Sequence, residues 1–359
     1  MQIAIVGLPY SGKTTLFQTI TNTYIDSNAF QKKDETKAIV KVPDKRLDKL
    51  SEIFNPKKTT YASLEIVDMA GQQRIEGKSP FSENFLAKVK NNDALLHVVR
   101  GFEDNTFPHP DGDIDLLRDI NNLETEFILS DMTMFETRIE RLNKQLQKLS
   151  SDEAKKELAI VSKWLEALHD NNPLRNLEFN DDEKRFLKIF QPLTAKPLLI
   201  ALNLDETKVK DSEKIAEDIR NKIAGKNLKI SVFFAKIEME LGQLPIEEVE
   251  TFMNDYGIKE SALDRLIADS YSLLGLQSFF TVGEDECRAW TIREGDTAQE
   301  AAAVIHSDFY NTFIRAETVS YDDFITNGSF AKCKEKGVFR LEGKEYIVRN
   351  GDILSIRHS

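Results

Sequence analysis

Gln2-Ile3-Ala4-Ile5-Val6-Gly7-Leu8-Pro9-Tyr10-Ser11-Gly12-Lys13-Thr14 is the stretch that decides the fold. Residues 2–6 are a short β-branched apolar run, the pattern of a buried strand. Gly7 to Thr14 satisfy the phosphate-loop spacing G-x-x-x-x-G-K-[ST]. Gly7 and Gly12 let the backbone curl round a phosphate with no side chain in the way, so the loop N–H groups point inward at the anion. Lys13 offers a point charge to the β- and γ-phosphates, and the Thr14 hydroxyl offers a ligand to Mg²⁺. Thr15 to Ile20 continue as a helix whose positive end faces the same phosphates. Leu8, Pro9, Tyr10, Ser11 and Thr15 fill out the expected nucleotide contact. Strand, loop and helix in that order leave little room for a chance glycine turn.

At 359 residues the chain is too long for one ordinary core, so two or three domains are expected. Charged residues at 30% and hydrophobic ones at 41% describe a soluble globular protein. Apolar runs fall short of a membrane span, and the core strand at the N-terminus leaves no room for a signal peptide. Cys287 and Cys333 are too few for a disulfide framework or a cysteine zinc site. A cytoplasmic protein is expected. The net charge of −12 argues against indiscriminate nucleic-acid binding and leaves room for a local basic face.

Outward from the loop, Asn22 to Lys37 is polar and aperiodic, a mobile loop in which Thr36 is a candidate sensor of Mg²⁺ and γ-phosphate. Val42-Pro43-Asp44 caps a helix over Lys45 to Ile53, read as a surface helix beside the nucleotide. Tyr61 to Asp68 alternates as a strand ending in a carboxylate. Asp68-Met69-Ala70-Gly71 then fits D-x-x-G, in which Asp68 holds Mg²⁺ through water and Gly71 turns its N–H to the γ-phosphate. Gln72 stands where a water-orienting catalytic glutamine sits in many GTPases; a solvated switch residue is the alternative.

Asp93 to Arg100 is the next buried strand, with His97 as a packed, hydrogen-bonded histidine. The loop Phe102 to Pro110 lies at that strand's end, where open α/β sheets bind ligands. His109 within it is either a catalytic or switch residue or a solvated loop histidine. From Ile128 to Leu149 apolar residues recur at spacings of four and three, and Ala154 to Leu168 resume the seam after Ser150-Ser151-Asp152. That pattern predicts an antiparallel helical hairpin, each helix about 25–30 Å long. Arg138, Arg141, Lys144 and Lys148 form a basic stripe on it, a solvated face or a docking face for RNA or a ribosomal surface.

Leu198 to Leu202 is a buried strand ending at Asn203-Leu204-Asp205-Glu206, where many GTPases place N-K-x-D. There an aspartate accepts from guanine N1–H and the 2-amino group. Glu206 carries one methylene more, and Leu204 offers an apolar wall in place of the lysine stem. Strict guanine selectivity is therefore not expected. Ile230 to Phe234 leads into Ala235-Lys236, an S-A-K base-side loop with Phe234 in the serine position.

Over nearly all of its 359 residues the chain resembles the YchF/Obg-like ATPase family of P-loop NTPases. The resemblance rests on Gly7-Leu8-Pro9, Val42-Pro43-Asp44-Lys45-Arg46-Leu47, Phe102-Glu103-Asp104, Thr194-Ala195-Lys196-Pro197 and Asn203-x-x-Glu206. Its C-terminal part includes Arg288-Ala289-Trp290-Thr291-Ile292, His306-Ser307-Asp308-Phe309, Phe313 to Glu317, Leu341 to Tyr346 and Asn350-Gly351-Asp352. It implies an α/β P-loop domain with helices on both faces over 1–118 and 192–276, interrupted by the hairpin at 119–191. A TGS domain, a ubiquitin-like β-grasp, is implied over 277–359. It also implies slow Mg²⁺-dependent hydrolysis of ATP, often preferred to GTP, and a ribosome or structured RNA as partner. A monomer is expected, with no membrane or DNA-sequence recognition.

Several residues depart from the family pattern. Tyr10-Ser11-Gly12-Lys13-Thr14 replaces N-V-G-K-S, and Gln72-Gln73-Arg74-Ile75-Glu76-Gly77 replaces a glycine-rich run. The family's switch threonine falls near Lys32. His109 matches a histidine proposed as catalytic in relatives. Asp296 to Glu300 opens a helix in the C-terminal domain, where Arg288, Arg293, Arg315, Arg340, Lys344, Arg349 and Arg357 could face RNA, although no aromatic stacking array is evident. Two other readings stay open. A P-loop small-molecule kinase would need a lid of arginines and no base-side Asn203 motif. A nucleotide-stabilised scaffold would hydrolyse little.

Overall fold

A computed structural model of the chain describes residues 1–21, 35–69, 81–223, 225–258 and 260–359. Strand β1 (Gln2–Val6) leads through the glycine loop into helix α1 (Lys13–Thr21). Then come β2 (Glu35–Lys41), α2 (Lys45–Phe54), β3 (Lys58–Thr60) and β4 (Ser63–Met69). Helix α3 (Glu83–Val89) precedes β5 (Ala94–Gly101), and α4 (Leu116–Lys148), α5 (Asp152–His169) and α6 (Asp181–Phe190) follow. The chain continues as β6 (Leu198–Leu204), α7 (Ser212–Lys222), β7 (Leu228–Phe233), α8 (Ala235–Leu241), α9 (Ile246–Tyr256) and α10 (Ala262–Leu273). The C-terminal run is β8 (Leu276–Thr281), β9 (Glu286–Arg293), α11 (Ala298–Ile305), α12 (Phe309–Thr312), β10 (Phe313–Ser320), α13 (Tyr321–Asn327), α14 (Phe330–Glu335), β11 (Arg340–Glu342) and β12 (Asp352–His358).

The chain divides into two compact units, residues 1–38 with 65–266 and residues 39–64 with 267–359. The first is built on the sheet β2-β4-β1-β5-β6-β7. Strands β1, β4, β5, β6 and β7 pair in parallel, and their long apolar runs are buried on both faces. The chain leaves β1 for β4 on one side and returns to β5 on the other. The crevice at the carboxyl ends of β1 and β5 is the place where this topology receives a ligand.

Helix α4 is 33 residues long, about 50 Å at 1.5 Å per residue, and so exceeds the length expected from its heptads. It starts at Asp115, whose side chain accepts the Arg118 N–H, well before the seam at Ile128. Ser151 caps α5 at the predicted break. Ile128, Phe135, Val161, Trp164 and Leu168 form the seam, and α6 adds Phe186 and Phe190, so the insertion is a three-helix cluster. Arg138 is not part of a free stripe: its Nε and Nη2 donate to buried Glu157 at 2.5 and 2.8 Å. Arg141, Lys144 and Lys148 are exposed on the same helix.

The second unit carries the sheet β11-β10-β12-β8-β9-β3. Hairpin β8–β9, helix α11 and the parallel central pair β8–β12 give the β-grasp arrangement. A capping box of Thr297 and Glu300 starts α11, as Asp296 to Glu300 predict. Residues 39–64, read from sequence as part of the nucleotide domain, group instead with this unit, and α2 packs within it. Strand β3 pairs with β9, Phe54 stacks on Phe324 at 5.4 Å, and Arg46 lies over Phe280 and donates to Asn350. Two stretches of the family resemblance, around Arg46 and Asn350, thus meet in one fold. The basic list in this unit is partly compensated. Arg340 pairs with Glu342 and Asp352, Arg357 with Glu317, and Arg288 covers Trp290.

Candidate functional site

The glycine loop sits at the carboxyl end of β1. Gly7 has φ +144°, and a Cβ there would lie 2.3 Å from the Val98 carbonyl oxygen. Gly12 has φ +97°, and a Cβ there would lie 2.3 Å from Asn203 Nδ2. Both positions therefore exclude a side chain on two counts, backbone conformation and space. Tyr10 takes φ 61°, a region costly for a bulky residue, and its exposed ring stacks on Phe107 at 5.0 Å. Leu8 and Ser11 are buried within the loop, and Pro9 and Thr15 are half-buried.

Lys13 Nζ donates to the Gly7 carbonyl at 3.0 Å and the Leu8 carbonyl at 2.7 Å. An ammonium has three N–H donors, so one stays free to face a phosphate. Burial brings the Lys13 pKa down to about 8, although nearby Asp68 raises it. The Asp68 carboxyl is in turn pushed up by burial, against the pull of Lys13 and the Thr14 hydroxyl. One carboxylate thus under-compensates the buried cation, and an anion such as a phosphate is the partner this site is short of.

Thr14 Oγ1 donates to Asp68 Oδ2 at 3.2 Å. Asp68 Oδ1 and Ser11 Oγ are buried without a hydrogen-bond partner among the described residues. A hydroxyl beside a half-satisfied carboxylate is a hard oxygen set suited to Mg²⁺, which takes a few protein ligands and keeps several waters. Thr14 and Asp68 are the residues that would hold the ion, which would screen the charge of the phosphate oxygens. Gly71, Gln72 and the position near Lys32 lie outside the described residues; Thr36 falls in β2, which replaces the end of the expected loop.

On the base side, Asn203 is buried, and both polar atoms of its side chain are engaged. Its Nδ2 donates to the Ser11 carbonyl at 3.1 Å, and its Oδ1 accepts the Ala235 N–H at 3.2 Å. It ties the phosphate loop to the start of α8. Leu204 is not a wall for a base: it is the last residue of β6, 3% exposed, in the core with Leu202 and Val232. Phe234 is buried in that core too. Glu206 and Lys236 remain at the surface, with Lys236 Nζ donating to Glu206 Oε1 at 2.6 Å.

His109 is neither solvated nor free. Its Nε2 lies 2.8 Å from Asp119 Oδ2 at the root of α4, and its Nδ1 accepts the Asp111 N–H at 3.1 Å. With Nδ1 an acceptor, Nε2 carries the proton and donates to the carboxylate. To act on a nucleotide His109 would have to leave Asp119. His97 is buried in β5 as expected, yet its Nδ1 finds no partner among the described residues, and burial lowers its pKa to about 3. One organising residue escaped the motifs: Arg100 is buried at the end of β5 and donates to the carbonyls of Phe102 and Phe107. The visible signal was an arginine closing an otherwise apolar strand.

Comparison with known proteins gives a coherent set. A model described as 50S ribosome-binding GTPase matches residues 2–204, and a YchF-GTPase C-terminal model, described as a protein of unknown function, matches 276–359. The ribosome-binding ATPase YchF of Bacillus subtilis is 44% identical, with 98% of each chain covered. That of Escherichia coli O157:H7 is 37% identical, covering 98% of this chain and 97% of its own length. The solved Schizosaccharomyces pombe YchF GTPase superposes with a TM-score of 0.86 at 31% identity, over 99% of this chain and 97% of that one.

Proposed function

This chain belongs to the YchF family, and on that premise we propose that it is a Mg²⁺-dependent purine nucleoside triphosphatase that associates with ribosomes. The observation that carries the reading is the Lys13 ammonium, held by the Gly7 and Leu8 carbonyls beside Thr14 and Asp68. A buried cation short of anionic charge, next to a hard oxygen pair, fits a metal-bound triphosphate. The names of the relatives support ATP as substrate and the ribosome as partner. Lys13 is the charge that acts on the phosphates. Gln72 and His109 are the remaining catalytic candidates, the latter only after release from Asp119.

Calorimetric titration with ATP, GTP and their diphosphates, with and without Mg²⁺, tests this. Asn203 is occupied by the Ser11 carbonyl and Ala235 N–H, and Glu206 is engaged by Lys236, so little is set to read guanine. ATP is expected to bind at least as well as GTP, within about 1–2 kcal/mol either way. GTP binding roughly a hundredfold tighter, about 2.7 kcal/mol, would refute this view of the base pocket.

The partner surface has its own test. Reversing exposed Arg141, Lys144 and Lys148 to glutamate should weaken co-sedimentation with ribosomes, and wild-type binding should fall with added salt. Equal sedimentation would make them a merely solvated face. Arg138→Glu belongs to a different experiment. It places a second carboxylate against buried Glu157 and should lower stability by about 2 kcal/mol, read as a lower Tm.

A further inference from the structure

We infer that Lys236 sets the choice of base by holding the Glu206 carboxylate away from it, an inference that rests on the nucleotide site proposed above. The fold brings the two residues together deliberately. Asp205 accepts the Thr207 N–H and hydroxyl, which fixes the turn (Glu206–Asp211) on which Glu206 stands. Asn203 Oδ1 accepts the Ala235 N–H and so fixes the first residue of α8, with Lys236 the next. From these two fixed points the Lys236 ammonium reaches Glu206 Oε1 at 2.6 Å.

The consequence follows from the donors on each purine. Guanine shows N–H groups at N1 and at the 2-amino group, which a free carboxylate accepts. Adenine shows a lone pair at N1 and a C–H at position 2, so the same carboxylate repels it. With Lys236 in place, Glu206 is neutralised and drawn to the base-side loop: guanine loses its acceptor and adenine its repulsion. Asn203 and Leu204 cannot take over the role: neither carries a carboxylate, Asn203 is braced between the Ser11 carbonyl and the Ala235 N–H, and Leu204 lies in the core.

The pair is solvent-accessible, with 69% of the Lys236 side chain and 29% of that of Glu206 exposed, so its influence is moderate and sensitive to salt. The test is a double-mutant cycle by calorimetry on the full chain with Mg·ATP and Mg·GTP. Lys236→Met keeps the apolar stem and removes the charge. It should raise the GTP-to-ATP affinity ratio about three- to fivefold. In a Glu206→Gln background the same change should leave the ratio as it was. High salt should shift the wild-type ratio toward GTP and leave that of Lys236→Met in place; both nucleotides carry the same phosphates, so general screening cancels. An unchanged ratio in Lys236→Met, or an equal shift with and without Glu206, overturns the inference while ATP binding itself stays intact. Loss of binding to both nucleotides in the wild type would instead overturn the nucleotide site, and the inference with it.

Discussion

Replacing Lys13 with alanine is expected to abolish hydrolysis and to weaken ATP binding by two to three orders of magnitude, with circular dichroism and Tm preserved. The ammonium spends two donors on the Gly7 and Leu8 carbonyls, which leaves the third for a phosphate. Charge-assisted bonds from such a cation to two phosphates are worth about 3–4 kcal/mol in a sheltered site. The fold should not suffer in exchange. Its Lys13 pKa of about 8 lies below the ordinary 10.5, so the charged form is disfavoured in the folded chain. That cost is fully present below pH 8 and fades as pH rises from 8 toward 10.5. Alanine removes it, which offsets the two lost hydrogen bonds at neutral pH. ATP affinity unchanged in a natively folded Lys13→Ala protein would sink the phosphate-loop assignment.

What could be read in the sequence was what local rules control. The strand–loop–helix at the N-terminus follows from β-branching, glycine freedom and helix-start chemistry, and the structure places it where the pattern does. The break at Ser151 and the capping box at Thr297 are equally local. Side-chain partners across the chain were out of reach. Arg138 looked like one member of a stripe because its spacing repeats, yet Glu157, on the neighbouring helix, claims it. Leu204 was read by its place in a motif, whereas β6, buried on both faces, runs on through it and keeps it in the core. His109 reads as a loop residue until the helix that follows returns Asp119 to it. Residues 39–64 are the largest case. Their strand and helix pattern is plain, but only tertiary packing of Phe54 and Arg46 reveals that they complete the C-terminal sheet.

Asn203→Ala is expected to weaken ATP and GTP together, by about ten- to a hundredfold, without altering the ratio between them. In many GTPases an asparagine at this position opens the base-recognition motif, which would lead one to expect a selective loss of GTP. The structure favours the other outcome. Asn203 is 2% exposed, one amide N–H goes to the Ser11 carbonyl and its oxygen takes the Ala235 N–H, so both polar atoms already brace the loop. What it does is hold the phosphate loop at Gly12 against the start of α8, at a separation so small that a Cβ on Gly12 would collide with its Nδ2. Truncation leaves a carbonyl and an N–H short of partners, each worth about 1–3 kcal/mol where water cannot replace the bond. It also lets the loop relax from the shape that cradles phosphates, which both nucleotides share. Asn203→Asp should be at least as damaging, because a carboxylate can accept from Ala235 but meets the Ser11 carbonyl oxygen with like charge. Calorimetry with both nucleotides separates the cases. A selective loss of GTP, with ATP binding retained, would place Asn203 on the base and not on the loop.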